Sequence, residues 1–133
     1  MRIGAGDTMG RALAQAMQQE GREMAWDETV AERLREGLLA VEGVEEKRMF
    51  GGLCFLVRGN MACVASGRGG AFFRVGKDRE AEALALPGAA RMVMAGREKP
   101  GFIHFDGGSL EEVEIFTPMM RLCLGFVEPL PPK

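Results

Sequence analysis

The apolar positions after Asp27 repeat at the period of a helix. Asp27 is a favourable N-cap and Gly43 is a typical residue beyond a helix C-terminus, so the pattern predicts an amphipathic helix over residues 27–42. Charged residues fill its other face, which is typical of a helix that packs only one of its sides on a core. The apolar positions of the buried face are Val30, Leu34, Leu38 and Val41.

Shorter apolar runs, separated by glycine-rich turns, follow and predict β-strands. Leu53–Val57 and Met61–Ala65 flank the turn Arg58-Gly59-Asn60 and predict a β-hairpin. The later predicted elements are a strand at Ala71–Val75, a helix over 78–86 capped by Asp78, strands at Arg91–Ala95 and Phe102–Asp106, and a helix that begins at the capping box Ser109–Glu112. Pro118 either kinks that last helix or restarts it with Thr117 as N-cap. The order α-β-β-β-α-β-β-α predicts an α+β fold, a two-layer sandwich with an antiparallel sheet.

The predicted hairpin is apolar on both faces. If Val57 lies opposite Met61, one face carries Leu53, Phe55, Val57, Met61, Cys63 and Ala65, and the other carries Cys54, Leu56, Ala62 and Val64. A sheet with one solvated face alternates apolar and polar residues. The second face is therefore covered by the domain's own helices and loops, by a second copy in a dimer, or by a helix from residues 1–23.

Residues 1–23 form an extension ahead of a domain that spans residues 24–133. Met9, Leu13 and Met17 recur at helical spacing in this extension. A helix of this length is marginal in isolation, which leaves two interpretations open. Either the extension has little structure of its own, or it forms a helix that docks on the domain or on a partner.

Length and composition fit one domain with its own core, because the chain has 133 residues and is 47% hydrophobic. A formal net charge of −2 argues against a strongly nucleic-acid-binding chain, although scattered arginines leave room for a local basic face. Cys54, Cys63 and Cys123 lie in apolar runs and are odd in number, so we expect buried thiols in a cytoplasmic bacterial protein. No stretch approaches the roughly 20 apolar residues of a membrane span.

The sequence carries no residue set that specifies a reaction. Its single histidine, His104, lies in an apolar strand pattern, where a structural role is the ordinary one. No second histidine and no Cys-x-x-Cys pair completes a set of zinc ligands. The segment Gly70–Lys77 differs from a phosphate loop in its glycine spacing and in Asp78, which follows the lysine. We therefore expect no catalytic, metal-binding or cofactor-binding residues.

Several short motifs together resemble one known family. They are Met24–Glu28 at the start of the first helix, Glu46–Gly52 ahead of the hairpin, Arg58–Met61 at its turn, Phe73–Gly76 in the third strand and Leu130–Lys133 at the end. In these motifs residues 24–133 resemble the TfoX N-terminal domain family, in a short standalone form without the C-terminal domain of the competence regulators that give the family its name. The resemblance implies a two-layer sandwich of order α-β3-α-β2-α, related to secretion-chaperone-like domains, and implies no catalytic residue set.

The family motif supplies the candidate site residues, which are either structural or a partner surface: Arg48, Met49, Phe50, Gly51, Gly52, Gly59, Asn60 and Arg74. In the structural interpretation, Gly51 or Gly52 holds a positive-φ or bulged backbone and Phe50 fills the core. We expect a non-enzymatic regulatory or protein-interaction module that has an unidentified protein partner and forms a homodimer. The alternatives are a DNA-binding transcription accessory factor and a small enzyme.

Overall fold

Four helices and six strands make up the part of the chain that the computed structural model describes, residues 26–49 and 51–133. The predicted helix in residues 1–23 and the side chain of Phe50 lie outside the described residues. The helices are α1 (Glu28–Gly37), α2 (Glu80–Leu84), α3 (Gly107–Leu110) and α4 (Val113–Val127). The strands are β1 (Val44–Met49), β2 (Gly52–Val57), β3 (Asn60–Ser66), β4 (Ala71–Arg74), β5 (Ala90–Met94) and β6 (Arg97–Phe105).

Helix α1 begins at the predicted N-cap but ends earlier than its apolar pattern suggests. The Asp27 carboxylate accepts a hydrogen bond from the Thr29 N–H at 2.8 Å, which satisfies one of the free donors of the first turn. At the other end the Leu38 N–H bonds back to Arg35 O, so the chain leaves the helix after Gly37. Leu38 is nevertheless buried, because the following turn keeps its side chain in the core.

The six strands form one antiparallel sheet in the order β1-β2-β3-β4-β6-β5. Strand β1 was not among the predicted strands, so four strands rather than three precede α2. It is an edge strand whose residues after Val44 are all exposed, and its charged run Glu45–Arg48 lacks the apolar alternation that indicates a strand. Charged side chains of this kind protect a sheet edge from pairing with other chains.

A bulge in the central hairpin changes the two faces that the sequence predicted. Phe55 lies opposite Cys63, but the register then shifts, so that Leu56 lies opposite Met61 and Val57 opposite Asn60. The predicted pairing of Val57 with Met61 is therefore wrong. Met61 packs with Leu56 instead, on the face opposite to Phe55.

The helices pack their buried apolar side chains against one face of the sheet. All buried apolar residues of α1, α2, α3 and α4 belong to the same cluster as Leu53, Phe55 and Phe73. The opposite face carries a separate cluster, to which no helix of residues 26–49 and 51–133 contributes. This second sheet face consists of Cys54, Leu56, Met61, Val64 and Phe72.

Two predicted helix starts are wrong. Asp106, not Ser109, caps α3, since its carboxylate accepts from the Ser109 N–H at 2.8 Å. A 3-10 turn over Lys77–Arg79, with Gly76 as its N-cap, precedes α2, so Asp78 is not a cap. Helix α4 runs through Pro118 without a restart at Thr117.

Candidate functional site

The family-motif residues lie in three separate parts of the sheet rather than in one site. Arg48 and Met49 end β1, Gly51 lies in the β1–β2 turn and Gly52 begins β2, whereas Gly59 and Asn60 lie at the β2–β3 turn at the opposite end of β2. A strand of this length separates the two turns by about 17 Å. Arg74 ends β4, two strands away from β2. The structure therefore does not bring these residues together.

The two motif glycines of the β1–β2 turn meet different backbone requirements. Gly51 has a φ of +70°, which favours glycine, and faces open space. Gly52 is buried at the start of β2, where a Cβ atom would overlap the carbonyl oxygen of Ala65 on β3. The geometry of both glycines agrees with the structural interpretation of the motif.

Among the described motif residues at this turn, Arg48 and Met49 have exposed side chains. The Arg48 guanidinium carbon lies 5.4 Å from the centroid of the Trp26 ring, which places a cation over the aromatic face. Met49 is 37% exposed. A partner that touches the motif directly therefore meets these two side chains at the edge of the sheet.

The β2–β3 turn holds the last residues of the sequence. Arg58, with a φ of +49°, accepts a backbone hydrogen bond from the Lys133 N–H at 2.9 Å, and its guanidinium donates to Glu128 O at 3.1 Å. The Asn60 side chain, only 3% exposed, donates to Pro131 O at 2.9 Å. These bonds give Asn60 a structural role and attach the Leu130–Lys133 segment to the β2–β3 turn.

Arg74 bridges the place where β3 and β4 separate. Strand pairing between β3 and β4 ends at Cys63 and Phe73. Beyond that point Arg74 Nη1 donates to Met61 O at 3.3 Å, and its guanidinium carbon lies 5.2 Å from the Phe126 ring centroid in α4. The arginine thus joins two strands and a helix, which is a packing role.

An ion-pair cluster on the charged face of α1 fixes that helix to the edge strand. Arg35 contacts both carboxylate oxygens of Glu46 on β1, at 2.6 and 2.8 Å, and also contacts Glu28 and Glu32 at 2.7 Å. Its hydrogen bonds hold the pKa of Glu28 and of Glu46 below the usual range. Helical spacing predicts that Glu28, Glu32 and Arg35 lie together. The contact with Glu46 could not be predicted, because Glu46 lies on strand β1, which was not among the predicted strands.

His104 lies at a polar cleft of about 620 Å³ between the start of α1, the β3–β4 turn and α3. Its Nε2 is 3.0 Å from Gly69 O, a contact that holds the β3–β4 turn against β6. Asp106 in the same cleft caps α3, and the Ser109 N–H holds the pKa of its carboxyl below the usual range. The His104 and Asp106 contacts in this cleft therefore stabilise loops, in agreement with the structural role expected for His104.

The second sheet face continues into an apolar groove with a volume of about 150 Å³. The groove lies across β3, β4, β6 and β5, and Lys99 supplies its charged lining residue. A groove of methionine and phenylalanine side chains adapts readily to an apolar surface. The apolar side chains that define it here are Met61, Val64, Phe72, Met92, Met94 and Phe102.

The three cysteines are free and buried, as expected from the sequence. Cys63 and Cys123 lie in the core beneath the helices, and Cys123 Sγ is 3.2 Å from Ala62 O. Cys54 lies on the second sheet face. Burial raises the pKa of Cys54 to about 11 and that of Cys123 to about 12, so these thiols are protonated at neutral pH.

No group of three or more histidine, cysteine, aspartate or glutamate side chains is arranged to hold a metal ion in residues 26–49 and 51–133. Within the same ranges no helix has the length and hydropathy needed to cross a membrane.

Comparison with known proteins identifies the family. A family model described as the TfoX N-terminal domain matches residues 36–127, which is more than two thirds of the chain and extends from the end of α1 to the end of α4. No curated protein and no solved structure matches the chain. The expected relation to secretion-chaperone-like domains stays a prediction. The chain belongs to the TfoX N-terminal domain family.

Proposed function

We propose that this chain is a non-enzymatic protein-interaction module and that its partner binds the apolar groove on the second sheet face. The observation that carries the proposal is the position of the groove. The described helices pack on the other face of the sheet, and the groove side chains Met61, Phe72, Met94 and Phe102 are each half-buried. An apolar surface of this kind marks a contact with another polypeptide.

The shape and chemistry of the groove favour an apolar helix or strand as the occupant. Met92 and Met94 come from edge strand β5, so one side of the groove is open to an approaching segment. Methionine side chains rearrange at low cost and accept apolar residues of different shapes. Lys99 at the groove favours an acidic residue beside the apolar ones of the partner.

The internal contacts of three arginines favour protein binding over DNA binding. Arg58 is bound to backbone carbonyls, Arg74 to Met61 O and Phe126, and Arg91 to Glu80. Arginines held in this way are not arranged as a patch that follows a phosphate backbone. With a formal net charge of −2, the chain offers little long-range attraction to nucleic acid.

Self-association is part of the same proposal. The homodimer expected from the sequence stays a prediction, and we place its interface on the second sheet face, where a second copy contributes matching apolar side chains. A regulatory role related to natural competence is suggested by the family name alone. Identification of the partner would test that role.

Two neighbouring substitutions on β5 test the binding surface. Met94 faces the groove, whereas Val93 points to the opposite face of the sheet and is 53% exposed. We expect Met94→Glu to reduce partner recovery from extracts of the native host by at least about tenfold, because a carboxylate in an apolar contact is costly. Val93→Glu is the matched control and should retain the partner. Equal recovery by both variants contradicts the proposed surface.

A further inference from the structure

The strands that form the apolar groove keep their positive and negative charges on different sides of the sheet. Lys99 lines the groove, and Arg97 lies directly opposite Met94, which lines it too. Residues directly opposite each other in an antiparallel pair share one face of the sheet, so Arg97 lies on the groove side. Strands β3, β4, β5 and β6 contain one acidic residue, Glu98, which lies opposite Val93 and therefore on the other side.

The two cations at the groove are available to a partner. Arg97 and Lys99 are exposed, and neither lies within ion-pair distance of a carboxylate in residues 26–49 and 51–133. The whole chain has a formal net charge of −2, so the positive charge beside the groove is a local feature. An apolar surface with carboxylates at its margin complements this combination.

The position of the groove within the sheet favours a helix over an extended segment as its occupant. Strands β3, β4 and β6 each have a neighbouring strand on both sides, so an extended segment that lies on this face meets no free strand edge. A helix satisfies its own backbone hydrogen bonds and needs no such edge. The groove crosses four strands, a width of about 14 Å, which equals the length of about nine helical residues.

We propose that the partner segment is an acidic amphipathic helix, whose apolar side enters the groove and whose carboxylates lie beside Arg97 and Lys99. This inference rests on the proposed function and specifies the chemistry and secondary structure of the partner segment. The carboxylates favour such a helix over a second copy of the chain, because the groove side of a second copy carries the same two cations.

Three fluorescently labelled peptides of about 18 residues test the proposal, since a helix of this length forms in part on its own. All three carry the same leucines, spaced three and four residues apart. The first peptide has glutamates beside the leucines, the second has lysines there, and the third is the glutamate peptide with a central proline that breaks the helix. By fluorescence anisotropy at low salt, we expect the full chain to bind the glutamate peptide at least about tenfold more tightly than either of the others.

Two substitutions with the same change in net charge show where the peptide binds. Lys99→Glu should lower the affinity for the glutamate peptide at least about fivefold and raise the affinity for the lysine peptide, because an attractive pair becomes a repulsive one. Arg121→Glu is the matched control, since Arg121 is exposed on α4, which packs on the other face of the sheet. It should leave both affinities within about twofold of those of the unsubstituted chain. Circular dichroism checks that both variants are folded.

The proposal is overturned if the glutamate peptide does not bind, or if the lysine peptide binds as tightly. Equal binding of the proline peptide would also overturn it, because the occupant would then not be a helix. Equal effects of Lys99→Glu and Arg121→Glu would place the peptide away from the groove. The proposed function survives each of these outcomes if Met94→Glu, but not Val93→Glu, loses the native partner. Equal recovery of that partner by the last two variants refutes the groove itself.

Discussion

Gly52 and Gly51 are adjacent glycines with different structural requirements, and exchanging each for alanine separates those requirements. At Gly52 the added Cβ overlaps Ala65 O, so β2 and β3 must move apart. Overpacking of this kind costs about 1–3 kcal/mol, and the loss of one strand hydrogen bond adds about 1 kcal/mol. We therefore expect Gly52→Ala to lower the free energy of unfolding by about 3 kcal/mol.

Gly51→Ala is the matched control because its Cβ enters open space. The remaining cost is the strain of an alanine at a φ of +70°, which is about 1 kcal/mol. Urea unfolding followed by circular dichroism measures both values. In a thermal scan of a chain of this size, 1 kcal/mol corresponds to about 4 °C, so we expect melting temperatures lower by about 12 °C for Gly52→Ala and about 4 °C for Gly51→Ala.

The structural interpretation of the motif is refuted if Gly52→Ala unfolds at the same urea concentration as the unsubstituted chain. It is also refuted if Gly51→Ala is the more damaging change, since its added methyl group meets no atom. Unchanged stability of Gly52→Ala together with loss of partner binding would make the β1–β2 turn a contact surface.

Three other predictions address the second turn, the ion-pair cluster and assembly. Asn60→Ala leaves Pro131 O without its buried donor, and we expect a loss of about 1–3 kcal/mol in urea unfolding; an unchanged midpoint contradicts the role of Asn60. Arg35 lowers the folded-state pKa of Glu28 and Glu46, so its contribution is present above their ordinary pKa of 4.5 and is lost as the pH falls through the lowered values. Between pH 6 and pH 3, Arg35→Gln should therefore lose less stability than the unsubstituted chain, and equal losses would contradict this. By sedimentation equilibrium we expect both the full chain and the chain that begins at Met24 to dimerise at high micromolar concentration; a monomer in both cases contradicts an interface on the second sheet face.

Strands whose side chains are buried could be predicted from the sequence, and the exposed edge strand could not. The runs Leu53–Val57 and Met61–Ala65 are apolar because both faces of the hairpin are buried, so their pattern predicts them to within one residue at each end. The backbone of strand β1 pairs with β2, but the strand buries few side chains. Its charged residues therefore lack the apolar alternation that predicts a strand. The ion pair between Arg35 and Glu46 was missed for the same reason.

The face on which a side chain lies depends on register, which the apolar pattern of the hairpin leaves undetermined. The bulge after Phe55 moves Met61 to the second sheet face, and an apolar run reads the same with or without such a shift. The position of Gly59 and Asn60 at the hairpin turn could be predicted from the sequence, whereas the β1–β2 turn could not, because strand β1 was not predicted. The separation of the two turns along β2, and the bond from Asn60 to Pro131, required the fold.

Site-specific photo-crosslinking in the native host can determine whether the second sheet face contacts another protein. A photoreactive amino acid replaces Met94 in the groove or, as the control, Val93 on the opposite face of the same strand. We expect a covalent adduct with another protein chain from position 94 and none from position 93. Adducts of equal yield from both positions, or none from position 94 beyond those within its own chain, would contradict it.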